Sequence, residues 1–257
     1  MRNTDTLLWV GCGITTALAW WLTWVLAQSM SGGMPMPGGW RMSMMWMRME
    51  GHSELWTAVI FLATWQCMMV AMMLASALPV LTLALKTARH ADRSPALAVL
   101  VGAGYFVSWL GFGIVVYLIG RAFAAFAMRS TWLAARVPAL AGIAIVTAGL
   151  YQLSPWKDAC LSHCRNPLTV MIERWRPDWR SALFTGIHHG NYCVACCWSL
   201  MAIQCVLGVM SLPVMIAIAT LIAAEKLIPA GRTIAAVAGV VFALAGAAMT
   251  YRTLSIV

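Results

Sequence analysis

Charge is scarce in this chain. Only 10% of its 257 residues are charged, and eight Asp and Glu stand against 17 Lys and Arg. Catalytic signatures are scarce as well: no Gly-rich phosphate loop, Gly-x-Ser-x-Gly elbow or His-Glu-x-x-His pair occurs, which leaves the familiar nucleotide enzymes and hydrolases without support. Ten-residue segments of alternating hydrophobicity are missing, so a membrane β-barrel is excluded. No fixed-period repeat points to a solenoid. The basic residues form no continuous face, which argues against nucleic acid as a partner.

Apolar residues are what the chain has in excess. They make up 62% of it and the mean hydropathy is +0.81, more apolar surface than one soluble core of this size buries. The surplus has to face lipid, and lipid favours helices because it offers no partner to an unpaired backbone amide. The expected fold is therefore an all-α polytopic transmembrane bundle, a single integral membrane domain over residues 1–257 with the bilayer as its first partner. Seven spans are read, with six as the alternative: near Leu7 to Gln28, Leu55 to Leu85, Ala96 to Gly120, Leu133 to Leu153, Ala182 to Met210, Leu212 to Ile228, and Thr233 to Tyr251. The first also resembles a signal peptide, with Arg2 before an apolar run and Ala27-Gln28-Ser29 after it, but the run is long for one. The second is overlong and is expected to kink or end at Pro79. The sixth is short.

If all seven cross, Arg2, Lys86, Arg89, Arg93, Lys157, Arg165, Arg174, Arg176, Arg180, Lys226 and Arg232 share the N-terminal side, and Arg41, Arg48, Arg121, Arg129, Arg136 and Arg252 share the other. The excess puts the N-terminus in the cytoplasm by the positive-inside rule. Two loops are long. Ser29 to Glu54 faces outside in this topology, and the basic segment from Ser154 to Ser181 faces the cytoplasm.

The sharpest chemical signal opens the fifth span. His189, Cys193, Cys196 and Cys197 fall at i, i+4, i+7 and i+8 of a helix, on one stripe, with His188 beside them. Upstream, Cys160, His163 and Cys164 join the same region if their loop is helical and folds back on the fifth span. At a cytoplasmic face disulfides are rare, so metal ligation or redox chemistry is favoured over a structural bridge. Any single cysteine of the set also serves as a small apolar packer.

Methionine is the second signal. Met34, Met36, Met42, Met44, Met45, Met47 and Met49, followed by His52, crowd the first loop. Thioethers and thiolates are soft donors that select Cu(I), so the loop reads as a copper-collecting surface or, alternatively, as flexible apolar packing at the interface. A further stripe of Gln66, Met69, Met73 and Ser76 runs along the second span, with Met68 and Met72 beside it. Glu225 ends the sixth span, where Lys226 and Arg232 are expected to neutralise it.

These residues resemble a bacterial family of predicted metal-binding integral membrane proteins, domain of unknown function 2182. The likeness rests on Ala71-Met72-Met73 with Ser76-Ala77-Leu78-Pro79, on Gly149-Leu150-Tyr151-Gln152 with Pro155 and Lys157, and on Cys160, Cys164, Arg165 and Pro167. It continues through Gly186, His189-Gly190, Cys193-x-x-Cys196-Cys197-Trp198, Gly208-Val209-Met210, and Glu225-Lys226 with Pro229 and Gly231. The chain differs at Ala75, Ala195 and Ser211, where the family carries Pro, Gly and Asn. The resemblance implies a helical protein of the bacterial inner membrane with a Cys/His metal site, and implies no reaction.

The functional expectation is Cu(I) handling, delivery or transport, captured by the methionine loop and held by the Cys/His set. Copper is the expected metal, with zinc or iron as alternatives. Membrane or periplasmic proteins in a larger complex are the expected partners. The competing readings are a membrane thiol or metal redox subunit, and an accessory scaffold in which Trp20, Trp21 and Trp24 form a partner-helix face.

Overall fold

The computed structural model describes residues 2–30, 32–47, 51, 53–169, 175–176 and 178–256. Helix α1 (Arg2–Ser29) is followed by a hairpin of β1 (Met34–Met36) and β2 (Trp40–Met42), a 3-10 turn at Met44–Trp46, α2 (Glu54–His90), α3 (Ala96–Arg129) and α4 (Thr131–Gln152). The short α5 (Pro155–Arg165) precedes α6 (Trp179–Gly208), α7 (Leu212–Leu227) and α8 (Gly231–Ile256). The all-α bundle is as expected. Six of these helices, α1 to α4, α6 and α8, are long and apolar enough to cross a membrane. The sixth expected span, α7, has 16 residues and extends about 24 Å, short of a hydrocarbon layer of about 30 Å.

Helix starts follow local chemistry. Ser53, Ser130 and Asp178 cap α2, α4 and α6 by accepting from the backbone N–H of Trp56, Leu133 and Ser181, replacing bonds that the first turn cannot make internally. Helix α2 does not end at Pro79 but continues to His90: a proline costs a helix one hydrogen bond, and the packing on either side retains the helix.

Side-chain contacts give each helix its direction. Arg89 of α2 pairs with Asp5 of α1 at 2.8 Å, and Cys67 donates to Ala19 O near the middle of both, so the two are antiparallel. Trp65 donates to Trp109 O and Gln66 to Phe106 O, which sets α3 against α2. Helices α3 and α6 run parallel, with Val101 against Gly186 and Ser108 against Gly190. Helices α4 and α8 are antiparallel, with Gly142 against Gly246 and Gly149 against Gly239. Two ends result: the first loop and the α3–α4 turn mark a methionine end, and the α2–α3 turn, α5 and the start of α6 mark a cysteine end.

The hairpin is fixed to the methionine end. Trp40 Nε1 donates to Ala134 O at 2.8 Å, Arg121 donates to Trp46 O at 3.0 Å and forms an ion pair with Glu54. Gly38 has a φ of +91° and a Cβ there would sit 2.9 Å from Ala135 O, so both conformation and close approach demand glycine.

Glycines in α4 and α8 let two backbones meet, as small residues do between membrane helices. A Cβ on Gly149 would lie 2.6 Å from Ala243 N. Gly149→Leu is expected to cost about 1–3 kcal/mol by overpacking, read as a lower unfolding midpoint in detergent. Gly13→Leu is the control: a Cβ there meets nothing within 4 Å, and the midpoint should not fall.

Candidate metal centre

The segment after α4 becomes helix α5 for reasons written in its sequence. Ser154 caps it by accepting from Lys157 N, Pro155 occupies the first turn, Asp158 follows, and His163 and Arg165 lie in the last turn, each where the helix dipole favours it. This short helix packs back on α6, the arrangement on which the joint Cys/His reading depends.

Its docking rests on two cations. Lys157 is fully buried, and its Nζ donates to Cys196 O at 2.6 Å and to Glu225 Oε2 at 2.7 Å. Burial works against the Lys157 ammonium, but Cys197, Cys196 and Glu225 around it hold its pKa above the ordinary value. Gln152 donates to the other Glu225 oxygen at 3.0 Å. Arg165 reaches Glu225 O and Pro229 O, both at 3.0 Å. Gly231 leaves room for this, since a Cβ there would collide with Glu225 O and the Arg165 guanidinium.

Glu225 is therefore neutralised by Lys157, not by Lys226 or Arg232 as the sequence suggested. Adjacent helical residues point about 100° apart, and Lys226 turns the other way, to Cys193. Its Nζ donates to Cys193 Sγ at 2.8 Å and lies 3.5 Å from Ser76 Oγ. Tyr105 Oη of α3 is also 2.8 Å from that sulfur.

The sulfurs form a chain of neighbours. Cys164 Sγ of α5 lies 3.7 Å from Cys196 Sγ, and Cys196 Sγ lies 3.3 Å from Cys197 Sγ. The Cys196 thiol donates back to Cys193 O. Cys193, Cys196 and Cys197 are fully buried, and all eight cysteines are free. Cys160 stays half-buried one turn before Cys164, where burial pushes its thiol up.

The histidines divide. His189 is buried beside Tyr105, with ring centroids 5.9 Å apart, and its Nδ1 has no hydrogen-bond partner. His163 stacks on Tyr192 at 3.8 Å with His188 at 5.5 Å, a separate aromatic group on the α5 side. The methionine set lies at the opposite end of the bundle: Met34 and Met44 are exposed, Met36 and Met47 half-buried, and Met42 and Met45 buried. Met49 and His52 lie outside the described residues.

Among the described residues, no three His, Cys, Asp or Glu side chains form a group ready to hold a metal ion. The sulfur spacings match a metal site in part. Two thiolates on a tetrahedral ion with bonds of about 2.3 Å stand about 3.8 Å apart, which Cys164 and Cys196 nearly match at 3.7 Å. Cys196 and Cys197 would have to part by about half an ångström to share the same ion. The sequence missed Tyr105, which carries no motif, and the reach of Lys226, which was read only as a counter-charge to Glu225.

Breaking the buried pair tests the frame. Lys157→Met is expected to cost about 3–5 kcal/mol by stranding Glu225, whereas Lys157→Met with Glu225→Gln should cost much less. A double-mutant cycle on unfolding in detergent reads the difference.

No curated protein and no solved structure matches the chain. A family model described as "PpoB2: Copper chaperone" matches residues 62–249, from within α2 to within α8, which takes in the cysteines and histidines of α5 and α6. The chain belongs to this copper chaperone family.

Proposed function

We propose that the chain is a membrane-embedded Cu(I) carrier whose cargo rests on the thiols of Cys193, Cys196 and Cys197 on α6 and Cys164 on α5, with His189, Cys160, His163 and His188 as neighbouring donors. The observation that carries this is the approach of sulfurs from two helices at a buried point, 3.3 and 3.7 Å apart. Soft sulfur donors select Cu(I), which agrees with the family's description. Two thiolates leave a Cu(I) complex one unit negative, and the Lys226 ammonium beside Cys193 offsets that charge where lipid and protein shield it from water. A carrier must also release its ion, and a row of similar sulfurs permits stepwise exchange from one to the next.

The methionine-rich loop at the other end supplies a second set of soft donors for capture. In this reading the chain sits in the bacterial inner membrane with its N-terminus and cysteine end in the cytoplasm, and it passes copper to a membrane or periplasmic protein. The orientation is checked by placing a single cysteine at exposed Ser94 in a chain otherwise free of reactive thiols. An impermeant reagent should label it only in broken cells, and labelling of intact cells would reverse the topology.

The 3.7 Å approach of Cys164 to Cys196 also favours a second reading, thiol–disulfide cycling between α5 and α6. Thiol trapping that finds every cysteine reduced under all growth conditions removes it.

Changing Cys193, Cys196 and Cys197 together to Ser is expected to remove stoichiometric metal from protein purified without added metal, measured by elemental analysis. X-ray absorption on the unaltered protein should show copper with sulfur scatterers. Unchanged metal content in the Ser variant would defeat this site assignment, and zinc or iron would replace carriage with a structural or redox role.

A further inference from the structure

Methionine and leucine are similar in size and apolarity, yet the structure sorts them. Seven methionines (Met45, Met68, Met69, Met72, Met73, Met201 and Met215) belong to the central buried cluster, against five leucines. Among large exposed apolar side chains the order reverses, with fourteen leucines and three methionines. Lipid solvates either residue equally well, so hydrophobicity alone does not produce this division. Flexibility suits methionine to filling gaps, but the buried methionines also follow a line.

The line begins in a small cavity of about 30 Å³ at the methionine end, lined by Met30, Met44, Met45 and Met47 with Phe61 and Thr64. Its wall is held in place: Ser43 caps the turn that carries Met44 and Met45, and Arg121 fixes the carbonyl of Trp46. Four methionines line this space, which is roomy enough for a water or a bare soft cation. The side-chain oxygens in its described lining are those of Thr57 and Thr64, few for a hard hydrated cation.

About 10 Å along the axis from Phe61 on the cavity wall, α2 carries Met68 and Met69, then Met72 and Met73, then Ser76, these later steps about 6 Å each. All four methionines are buried. Ser76 Oγ lies 3.5 Å from Lys226 Nζ, which in turn reaches Cys193 Sγ. From the other side, Met201 stands two turns beyond Cys193 on the same α6 stripe as Cys197 and is fully buried. The same buried cluster holds Met45, the α2 methionines, Met201 and all three α6 thiols.

We propose that the cavity of Met30, Met44, Met45 and Met47 is an entry site for a desolvated soft monovalent cation, and that the methionines of α2 with Met201 conduct it through the bundle to the thiols. This rests on the copper-carrier reading and adds to it a defined entry site and an internal route. The thioethers are neutral, so a cation bound only by them is held more weakly than by thiolate and moves toward the cysteines. No electron transfer or covalent step is involved.

Ag(I), a redox-inert soft cation, is the probe. In the full chain with all eight free cysteines changed to Ser, about one Ag(I) per chain should remain bound in detergent. Adding Met44→Leu, Met45→Leu and Met47→Leu, which nearly conserve volume, should weaken that binding at least tenfold. Met128→Leu, an exposed methionine of α3 outside the loop and the cavity, should leave it unchanged. Absence of Ag(I) from the Ser variant, or an equal loss from Met128→Leu, overturns the entry site.

The route is read in liposomes with the cysteines intact. Leucine at Met68, Met69, Met72 and Met73 should slow Cu(I) loading from the methionine side at least tenfold while final copper content stays the same. An unchanged rate overturns the route. If the intact cysteines hold no copper, the carrier reading fails by itself, and Ag(I) binding in the Ser variant still decides the entry site.

Discussion

The ammonium of Lys157 holds the centre together. It is fully buried between the carbonyl of Cys196 and the carboxylate of Glu225, so one side chain fastens α5 to both α6 and α7. A buried ion pair adds little net stability over an apolar pair of the same shape. What it does provide is position, because a charge without its partner at that depth is costly. Cys164 faces Cys196 only while α5 stays docked, and Arg165 repeats the restraint at the turn between α7 and α8.

Around this clamp the bundle separates two kinds of polar work. Glu225 and Lys226 are neighbours in sequence, yet one balances a structural cation and the other attends a sulfur. The family match starts at residue 62, so the hairpin and methionine turn lie before the matched stretch while the sulfur centre lies within it. The two ends are joined by α2, which runs from the methionine end to Ser76 beside Lys226 and then on to the basic turn.

Much of this was legible in the residues. Composition and long apolar runs gave the helical bundle, and the i, i+4, i+7, i+8 spacing found the α6 sulfurs because helical geometry is local. That the segment of Cys160 and Cys164 is helical and docks on α6 could only be posed as a condition. The partners of Lys157, Lys226 and Tyr105 were not legible: Lys157 meets Glu225 across 68 positions and Tyr105 meets Cys193 across 88, and no periodicity reports a contact between separate helices. Pro79 does not end α2, because whether a proline stops a helix depends on the packing on either side of it.

The position of Glu225 in the chain has a consequence for biosynthesis. A membrane protein is inserted from its N-terminus, and Lys157, Cys164 and the α6 thiols all precede the carboxylate that secures α5. Until α7 is in place, Lys157 lacks its counter-charge and Cys193 lacks Lys226. The nascent chain thus presents the α6 thiols before Cys164 is secured against them, and the centre is completed only once α7 is in place.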